Sequence, residues 1–460
     1  MPEGPRFGRG LIRALRSRLS GAHFGLLLHG LGAFERVLPH VQVDQWTRAE
    51  GNRTGVTPVD STNRRLRLRL AVPFWDRQGR YQHVPIASEL ARKTSQGNPQ
   101  SRTFSEEEQH LAKRLMERLA EDLGVSSTDA VRELQRSVDE RAITRHLRDE
   151  CDLAMDPRPL IGALHGLAEQ TYENRSVAFG VLLTPSAGGE PAVDVPLFPD
   201  GYLRSKKYRA LSDGYRTAYD LDAEGRVRGL ADLTACEDVP RGQYYFPEWA
   251  RALASATLEV NEAGRCRLGV ALTRRGDIVV VRNGSLRFSF RGGRWQYWNH
   301  RHIMDLTKTA AESAQGVVGR LYRLALDLSF RHSGGLIVVL SDDDDLRNVV
   351  RPGDAIGDTE RTDNADREFD TAVGRPFVTN VQIAVLIELA SLDGALVVAR
   401  DGRVLAYGAV LRPKRQGRIS GSEGSRTKAA IGASYYGVSI KISSDGDMTF
   451  YQNGQDFLTI

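Results

Sequence analysis

The stretches ELASLDGALVVARDGRVLAYGAVL (388–411) and GSRTKAAIGASYYGVSIKISSDGDMTFYQ (424–452) decide the fold class of the C-terminal part of the chain. The first predicts two buried strands, at residues 395–399 and 404–410, joined by an Asp-Gly turn. The second predicts a helix followed by two strands, because a helical pattern gives way to alternating apolar residues. Helices interleaved with strands are typical of an α/β domain with a mixed sheet.

The residues before these stretches continue the same pattern. Residues 318–330 (VGRLYRLALDLSF) predict an amphipathic helix, which runs through a Ser-Gly-Gly turn into the apolar strand LIVVL at 336–340. A further helix is predicted over residues 380–390. The acidic run at 341–345 lacks the spacing of a calcium loop and predicts a solvated loop. We therefore expect a mixed sheet flanked by helices.

One carboxylate in the first stretch is a candidate metal ligand. Asp393 is followed by Gly394 and Ala395, and small residues let a backbone approach a nucleotide closely. A single carboxylate that acts together with phosphate oxygens is a common way to hold Mg²⁺ or Mn²⁺ in phosphoryl and nucleotidyl transfer. Asp393 is therefore the predicted metal ligand.

The turn that opens the second stretch is a candidate anion site. Gly424 leads into a predicted helix, so backbone N–H groups lie where the helix dipole favours negative charge. Ser425 and Arg426 add side-chain donors, and Lys428 adds a second cation. A triphosphate would fit such a turn. The structural alternative, a tight strand entry at Asp393 and a helix cap with two solvated cations here, stays open because both motifs are short.

Taken in order, these motifs resemble the diadenylate cyclase (DAC) domain family. That family has a DGA motif, a GTRHRAA-type motif and a terminal β-hairpin, which correspond here to residues 393–395, 424–430 and 438–452. Residues 331–339 (RHSGGLIVV) are similar to the family's RTGALIV strand. The resemblance extends from about residue 277 to the C-terminus.

The resemblance implies a function and a set of residues. It implies an adenine-nucleotide-binding protein that condenses two ATP into cyclic di-AMP and pyrophosphate across a face-to-face homodimer, formed at least transiently. Asp393, Arg426 and Lys428 would be catalytic, and Asp393 would bind Mg or Mn and help to deprotonate the 3′-hydroxyl. The implied nucleotide-binding residues are Gly394, Ala395, Gly424, Ser425, Arg426, Thr427 and Lys428.

Two departures from the family pattern support an alternative hypothesis. The family's RHR triplet reads Arg426-Thr427-Lys428 here, so a hydroxyl replaces the imidazole and an ammonium replaces a bidentate guanidinium. The family's acidic SEE-type segment reads SSD at 443–445. The alternative is a catalytically weak or silent DAC-like sensor of ATP or a cyclic dinucleotide, in bacterial signalling or anti-phage defence, since similar domains are proposed as sensors in bacterial conflict systems.

Composition shifts predict four regions in the whole chain. They are a basic region with β elements at 1–104, a helical segment at 105–170, a β-rich region at 171–275 and the DAC-like domain at 276–460. In the first region, TNRRLRLRLAV (62–72) alternates arginine with leucine, which predicts a strand with one apolar and one cationic face. We expect a solvated face there, with a phosphate-facing surface as the alternative.

Local signals specify elements within the middle regions. Ser105 and Glu108 have the spacing of a capping box at a helix start, and a second helix is predicted over residues 128–147. The sequence DIVVVRNGSLRFSF (277–290) predicts a hairpin around Asn-Gly, the dipeptide that a type I′ turn prefers. The aromatic cluster at 295–302 is expected to be buried, and base stacking is the less favoured interpretation.

The composition of the chain excludes several classes of protein. With 460 residues, 41% hydrophobic and 26% charged, the chain is neither collagenous, coiled-coil nor wholly disordered. Its net charge of +5 does not indicate nucleic-acid binding, so nucleic acid stays an alternative partner without a supporting motif. The three cysteines, 151, 236 and 266, form no CxxC motif. The apolar stretch at 21–34 is too short to span a bilayer, and we predict a cytoplasmic protein without a transmembrane segment.

Overall fold

The computed structural model divides the chain into two compact units. The first comprises residues 1–93, 102–239 and 252–298, and the second comprises residues 94–101, 240–251 and 299–460. Among the described residues, no helix is both long and apolar enough to cross a membrane. The described residues are 5–38, 41–76, 78, 80–92, 103–125, 127–135, 137–172, 175–185, 206–235, 243–258, 267–356, 376–415 and 424–460.

A five-stranded antiparallel sheet lies at the start of the first unit. Its two longest strands form an antiparallel pair in which residues 65–75 lie opposite residues 81–91. Leu66, Leu68 and Leu70 are buried, whereas Arg67 on the opposite face forms an ion pair with Glu89. The predicted strand with one apolar face is therefore confirmed. The strands are β1 (Val41–Val43), β2 (Thr47–Arg48), β3 (Gly55–Pro58), β4 (Arg65–Trp75) and β5 (Tyr81–Arg92).

The helices that follow begin as the capping signal predicts. The Ser105 hydroxyl accepts the Glu108 N–H, and the Glu108 carboxylate accepts the Ser105 N–H. The helix predicted over residues 128–147 is instead two helices, with Ser137 at the N-cap of the second one, where its side chain forms no capping hydrogen bond. The helices up to residue 298 are α1 (Arg9–Arg16), α2 (Gly21–Val37), α3 (Glu106–Leu123), α4 (Thr128–Gln135), α5 (Val138–Glu150), α6 (Arg158–Ala168), α7 (Lys206–Arg209) and α8 (Arg251–Ala256).

A seven-stranded sheet completes the first unit. Its order is β10-β9-β8-β11-β12-β13-β14, and only the β8–β9 pair is parallel among the described strands. Asn283 and Gly284 have φ of 50° and 70°, as a type I′ hairpin requires. The strands are β6 (Thr171–Tyr172) and β7 (Arg175–Ser176), which pair with each other, and β8 (Phe179–Leu183), β9 (Thr217–Leu221), β10 (Val227–Asp232), β11 (Leu268–Leu272), β12 (Ile278–Arg282), β13 (Ser285–Arg291) and β14 (Arg294–Tyr297).

The strand pairing places residues 276–298 with the first unit. Strand β12 pairs with β11 on one side and with β13 on the other, so the hairpin belongs to the β-rich sheet. The division into four domains remains a prediction, and the two compact units do not follow its boundaries. The expected burial of the aromatic cluster is confirmed, since Trp295, Tyr297, Trp298, His300 and His302 are all buried.

The second unit contains the mixed sheet that the C-terminal sequence predicts. Its order is β17-β16-β15-β18-β19-β20, with β15 parallel to β16 and antiparallel to β18. The last strand was not predicted, because QDFLT has no clean alternation. The strands are β15 (Gly335–Leu340), β16 (Ala395–Ala399), β17 (Val404–Ala409), β18 (Gly437–Ile442), β19 (Met448–Gln452) and β20 (Gln455–Thr459).

Helices cover both faces of this sheet. On one face, Leu336 and Val338 form a core with Ala430 and Ile431 of the last helix. On the other face, Gly335 lies against a leucine of α10 and a carbonyl of α12. The predicted mixed sheet flanked by helices is therefore confirmed. These helices are α9 (His300–Ala311), α10 (Gln315–Phe330), α11 (Leu346–Val349), α12 (Ile383–Ser391) and α13 (Ser425–Ala433).

Helix α10 carries a buried acid. The Asp327 side chain is 1% exposed, and one of its oxygens accepts the backbone N–H of Glu248 at 2.8 Å. Burial raises the pKa of Asp327 to about 7, and the negative charge of Glu248 adds to this effect. The folded chain therefore holds a proton at Asp327 at pH values where the unfolded chain has released it.

This proton gives a testable pH dependence. The pKa of Asp327 is higher in the folded chain than in the unfolded chain. The contribution of Asp327 to the free energy of unfolding is therefore lost as the pH rises from about 4 to about 7. Asp327→Asn keeps an acceptor for the Glu248 N–H and cannot ionise. We expect the melting temperature of the variant, relative to wild type, to rise between pH 5 and pH 8 in thermal unfolding followed by circular dichroism. An identical pH dependence in both proteins would contradict this role of Asp327.

Candidate functional site

A cleft of about 610 Å³ opens in the second unit, at one end of the mixed sheet. Strands β15 and β16 begin there, and strands β17 and β18 end there. The first turn of α13 closes another side of the cleft. The described residues that line it are Leu336, Asp393, Gly394, Ala409, Val410, Leu411, Gly424, Ser425, Arg426, Thr427, Ala429, Lys441, Ile442, Ser443 and Ser444.

The Asp-Gly turn at the start of β16 is held by a close backbone contact. Gly394 has φ of 135°, and a side chain there would collide with the backbone carbonyl of Gly408. Gly394 therefore makes room for β17. Asp393, just before it, is exposed and forms no hydrogen bond or ion pair with any described residue. No group in the described part of the chain competes with a ligand for this carboxylate.

The first turn of α13 has no capping side chain. Gly424 lies at the N-cap with an extended backbone and no side chain to accept a hydrogen bond. The first bond of the helix runs from the Lys428 N–H to the Gly424 carbonyl at 3.1 Å. The preceding N–H groups therefore have no acceptor within the helix. Together with the helix dipole, they give this end of the cleft a partial positive charge.

Arg426 joins two motifs that lie far apart in the sequence. Its guanidinium occupies the space where any side chain at Gly334 would lie. Gly334 belongs to the turn between α10 and β15, in the RHSGGLIVV stretch. Arg426 forms no ion pair with a carboxylate in the described part of the chain. The guanidinium is thus positioned by packing, and its charge has no protein counter-ion there.

Lys441 is a second cation in the cleft, and the motifs did not identify it. Its ammonium donates to the Thr427 hydroxyl at 3.2 Å. Lys441 is half-buried, and no described carboxylate pairs with it. The alternation of VSIKIS contains a signal for this residue, because Ser439 and Lys441 must share one face of the strand.

Two of the predicted site residues do not line the cleft. Ala395 is buried in β16, where it pairs with Ala409, and Lys428 is exposed on α13 outside the cleft. Their binding roles remain predictions. The other predicted residues, Asp393, Gly394, Gly424, Ser425, Arg426 and Thr427, come together in the cleft.

The charges of the cleft suit a phosphate ligand with a divalent cation. Among the described residues that line it, Asp393 is the one acid, and Arg426 and Lys441 are the two cations. No described cluster of three or more histidine, cysteine or acidic side chains could hold a metal ion. A single carboxylate such as that of Asp393 could hold Mg²⁺ or Mn²⁺ only together with other oxygen ligands, and phosphate oxygens commonly supply them.

Comparison with known proteins identifies a family for this region. The DAC family model, described as DisA bacterial checkpoint controller nucleotide-binding, matches residues 324–455. No curated protein matches the chain. A solved structure titled as a hypothetical membrane spanning protein from Bacillus cereus is similar, with 18% identity, a TM-score of 0.24, and coverage of 35% of this chain and 76% of that chain.

A second solved structure is a cysteine double mutant of DacA from Staphylococcus aureus. Its identity is 19% and its TM-score 0.22, with coverage of 31% of this chain and 86% of that chain. The resemblance to the DAC family is confirmed for residues 324–455, which include every residue that lines the cleft. Residues 324–455 therefore form a DAC-like domain.

The close contact at Gly394 gives a prediction about stability. Gly394→Ala introduces a side chain at a positive φ and against the backbone of Gly408, so we expect a loss of about 2–4 kcal/mol in the free energy of unfolding. Urea unfolding measures it. Gly316→Ala is the matched control, because nothing lies near that position in α10, and it should be neutral or slightly stabilising. Equal effects of the two substitutions would contradict the proposed contact.

Proposed function

We propose that the second unit binds ATP in this cleft, and that two copies of the chain, face to face, condense two ATP into cyclic di-AMP. One observation carries the proposal. Arg426 and Lys441 line the cleft without a carboxylate partner in the described part of the chain, beside the uncapped N-terminus of α13 and an unpaired Asp393. This arrangement is suited to a polyphosphate and a divalent cation.

Each group would have a distinct role in binding. Backbone N–H groups of the first turn of α13, with Ser425 and Arg426, would hold phosphate oxygens, as helix N-termini and guanidinium groups commonly do. The apolar residues Leu336, Leu411 and Ile442 line the same cleft and offer a surface to the base. Lys428 lies outside the cleft of its own chain, so we assign it to the rim that a second copy would meet.

Asp393 would hold Mg²⁺ or Mn²⁺ together with the phosphates. When bound, the ion would neutralise negative charge that develops at the α-phosphate. The carboxylate itself would accept the proton of an attacking 3′-hydroxyl, and it has no described partner that competes for its oxygens. Arg426 would stabilise the departing pyrophosphate, where negative charge develops.

The chemistry requires two nucleotides in opposite orientation. The 3′-oxygen of each ATP forms a bond to the α-phosphorus of the other, each bond between the α-phosphorus and the β-phosphate breaks, and two pyrophosphates leave. In this proposal the cleft of one copy holds one ATP. A second copy of the chain is therefore the partner that we propose, in a homodimer that forms at least during turnover.

The second candidate function is a sensor that binds the nucleotide without turnover. One observation favours it: the hydroxyl of Thr427 accepts a hydrogen bond from Lys441 at the position where the family has an imidazole. A threonine hydroxyl does not titrate near neutral pH, so it does not act as a general acid or base there as an imidazole does. Such a sensor would act in bacterial signalling or defence, with ATP or a cyclic dinucleotide as ligand.

A substitution at Asp393 tests the cyclase directly. Asp393→Asn keeps the shape and removes the anionic ligand, so we expect formation of cyclic di-AMP from labelled ATP with Mn²⁺ to fall by about 100-fold or more. Asp456→Asn, an exposed acid outside the cleft, is the matched control and should keep wild-type activity. Undiminished product from the Asp393 variant would rule out the assigned role.

Restoring the family's triplet tests the sensor. Thr427→His with Lys428→Arg supplies an imidazole and a bidentate guanidinium, so a weak cyclase should gain activity. The rate should rise more steeply than linearly with protein concentration below the dimer dissociation constant, because each reaction needs two half-sites. A restored protein that binds ATP and dimerises but forms no dinucleotide would favour the sensor instead.

A further inference from the structure

Strand β18 carries a cation into the cleft from outside the recognised motifs. The Ser439 hydroxyl donates to the Ala430 carbonyl of α13 at 2.6 Å, so this face of the strand lies against that helix. Lys441 is two residues further along the same face. Its ammonium therefore reaches the first turn of α13, where it donates to the Thr427 hydroxyl.

No carboxylate in the described part of the chain balances the charge of Lys441. Its hydrogen-bond partner is a neutral hydroxyl, and no described carboxylate lies within ion-pair distance of its ammonium. Arg426 lines the same cleft and also forms no such pair. Two like charges that share a partly buried site repel each other and lose hydration. An anionic ligand would supply the missing counter-charge.

The side chain at position 427 leaves space for this cation. Threonine is short, and the Lys441 ammonium lies 3.2 Å from its hydroxyl oxygen, beside the turn where the family has an imidazole. Lys428, the basic residue that the motif itself provides, is exposed and outside the cleft. The second positive charge inside the cleft therefore comes from β18.

We propose that Lys441 is a phosphate-binding residue that, together with Arg426, makes the cleft selective for nucleoside triphosphates over nucleoside monophosphates. The inference rests on the proposed function, because it assumes that the cleft binds a nucleotide. Each added phosphate brings negative charge, and charge-assisted hydrogen bonds are stronger than neutral ones. Removing one of the two cations should therefore weaken the binding of ATP much more than the binding of AMP.

Equilibrium binding of ATP and AMP to the full-length chain, by titration calorimetry without a divalent cation, tests this role. Lys441→Met should lower the ATP affinity about tenfold, as the loss of one charge-assisted contact predicts, and the ratio of ATP to AMP affinity should fall with it. Lys441→Arg should retain most of that ratio. Lys308→Met, at an exposed position on α9, is the matched control and should match wild type.

The outcomes separate this inference from the proposed function. If Arg426→Gln loses ATP affinity while Lys441→Met keeps both the affinity and the ratio, Lys441 does not bind phosphate and the proposed function stands. If Lys428→Met causes the loss instead, the second cation is Lys428 and the inference is wrong. If the wild-type chain binds neither ATP nor AMP, both the proposed function and the proposed role of Lys441 are wrong. Should Lys441→Met fail to fold, Lys441→Gln takes its place with the same expectation.

Discussion

The register of strand β15 is the constraint on which the C-terminal cleft depends. Leu336 lies opposite Lys441 of β18, and Ile337 lies opposite Leu396 of β16. Since neighbouring strands are about 4.8 Å apart, this register brings the residues before β16 and those after β18 to the same end of the sheet. A slip of one residue between β15 and β18 would turn Lys441 to the opposite face. The position of the cleft therefore follows from strand pairing.

Glycines around the cleft make room for protein groups. Gly334 leaves space for the Arg426 guanidinium, and Gly394 leaves space for the backbone of Gly408. The sequence-based interpretation of Gly394 was a close approach of backbone to a nucleotide, whereas its nearest neighbours here are backbone atoms of β17. The glycines of these motifs thus allow the close packing that positions Asp393 and Arg426. In the proposed function, these two side chains are the groups that contact the ligand.

The sequence predicts the elements of the second unit better than it predicts the lining of its cleft. Apolar runs and an Asp-Gly turn predict strands such as β16. The glycine at position 424, directly before a helical pattern in the sequence, predicts where the last helix begins. Lys441 was missed because a single lysine in an alternating strand has the same pattern whether it faces solvent or a cleft, and only the packing of Ser439 on α13 decides between them. Likewise, the burial of Ala395 and the exposure of Lys428 depend on tertiary contacts, so the motif alone could not separate residues that line the cleft from their neighbours.

The proposed nucleotide binding and the proposed turnover would make different demands on this chain. Binding needs positive charge held in place before the ligand arrives, and the packing of Arg426 on Gly334 and the hydrogen bond of Lys441 to Thr427 provide that within a single copy. Turnover needs donors that act most strongly as charge develops on the departing pyrophosphate, and it needs a second nucleotide that one cleft does not supply. A protein of this design would therefore bind phosphate as a single copy, while its chemistry would depend on how a second copy completes the site. The hydroxyl at Thr427 bears on both demands, because it accepts the hydrogen bond that holds Lys441 in the cleft and stands where the family has an imidazole that titrates near neutral pH.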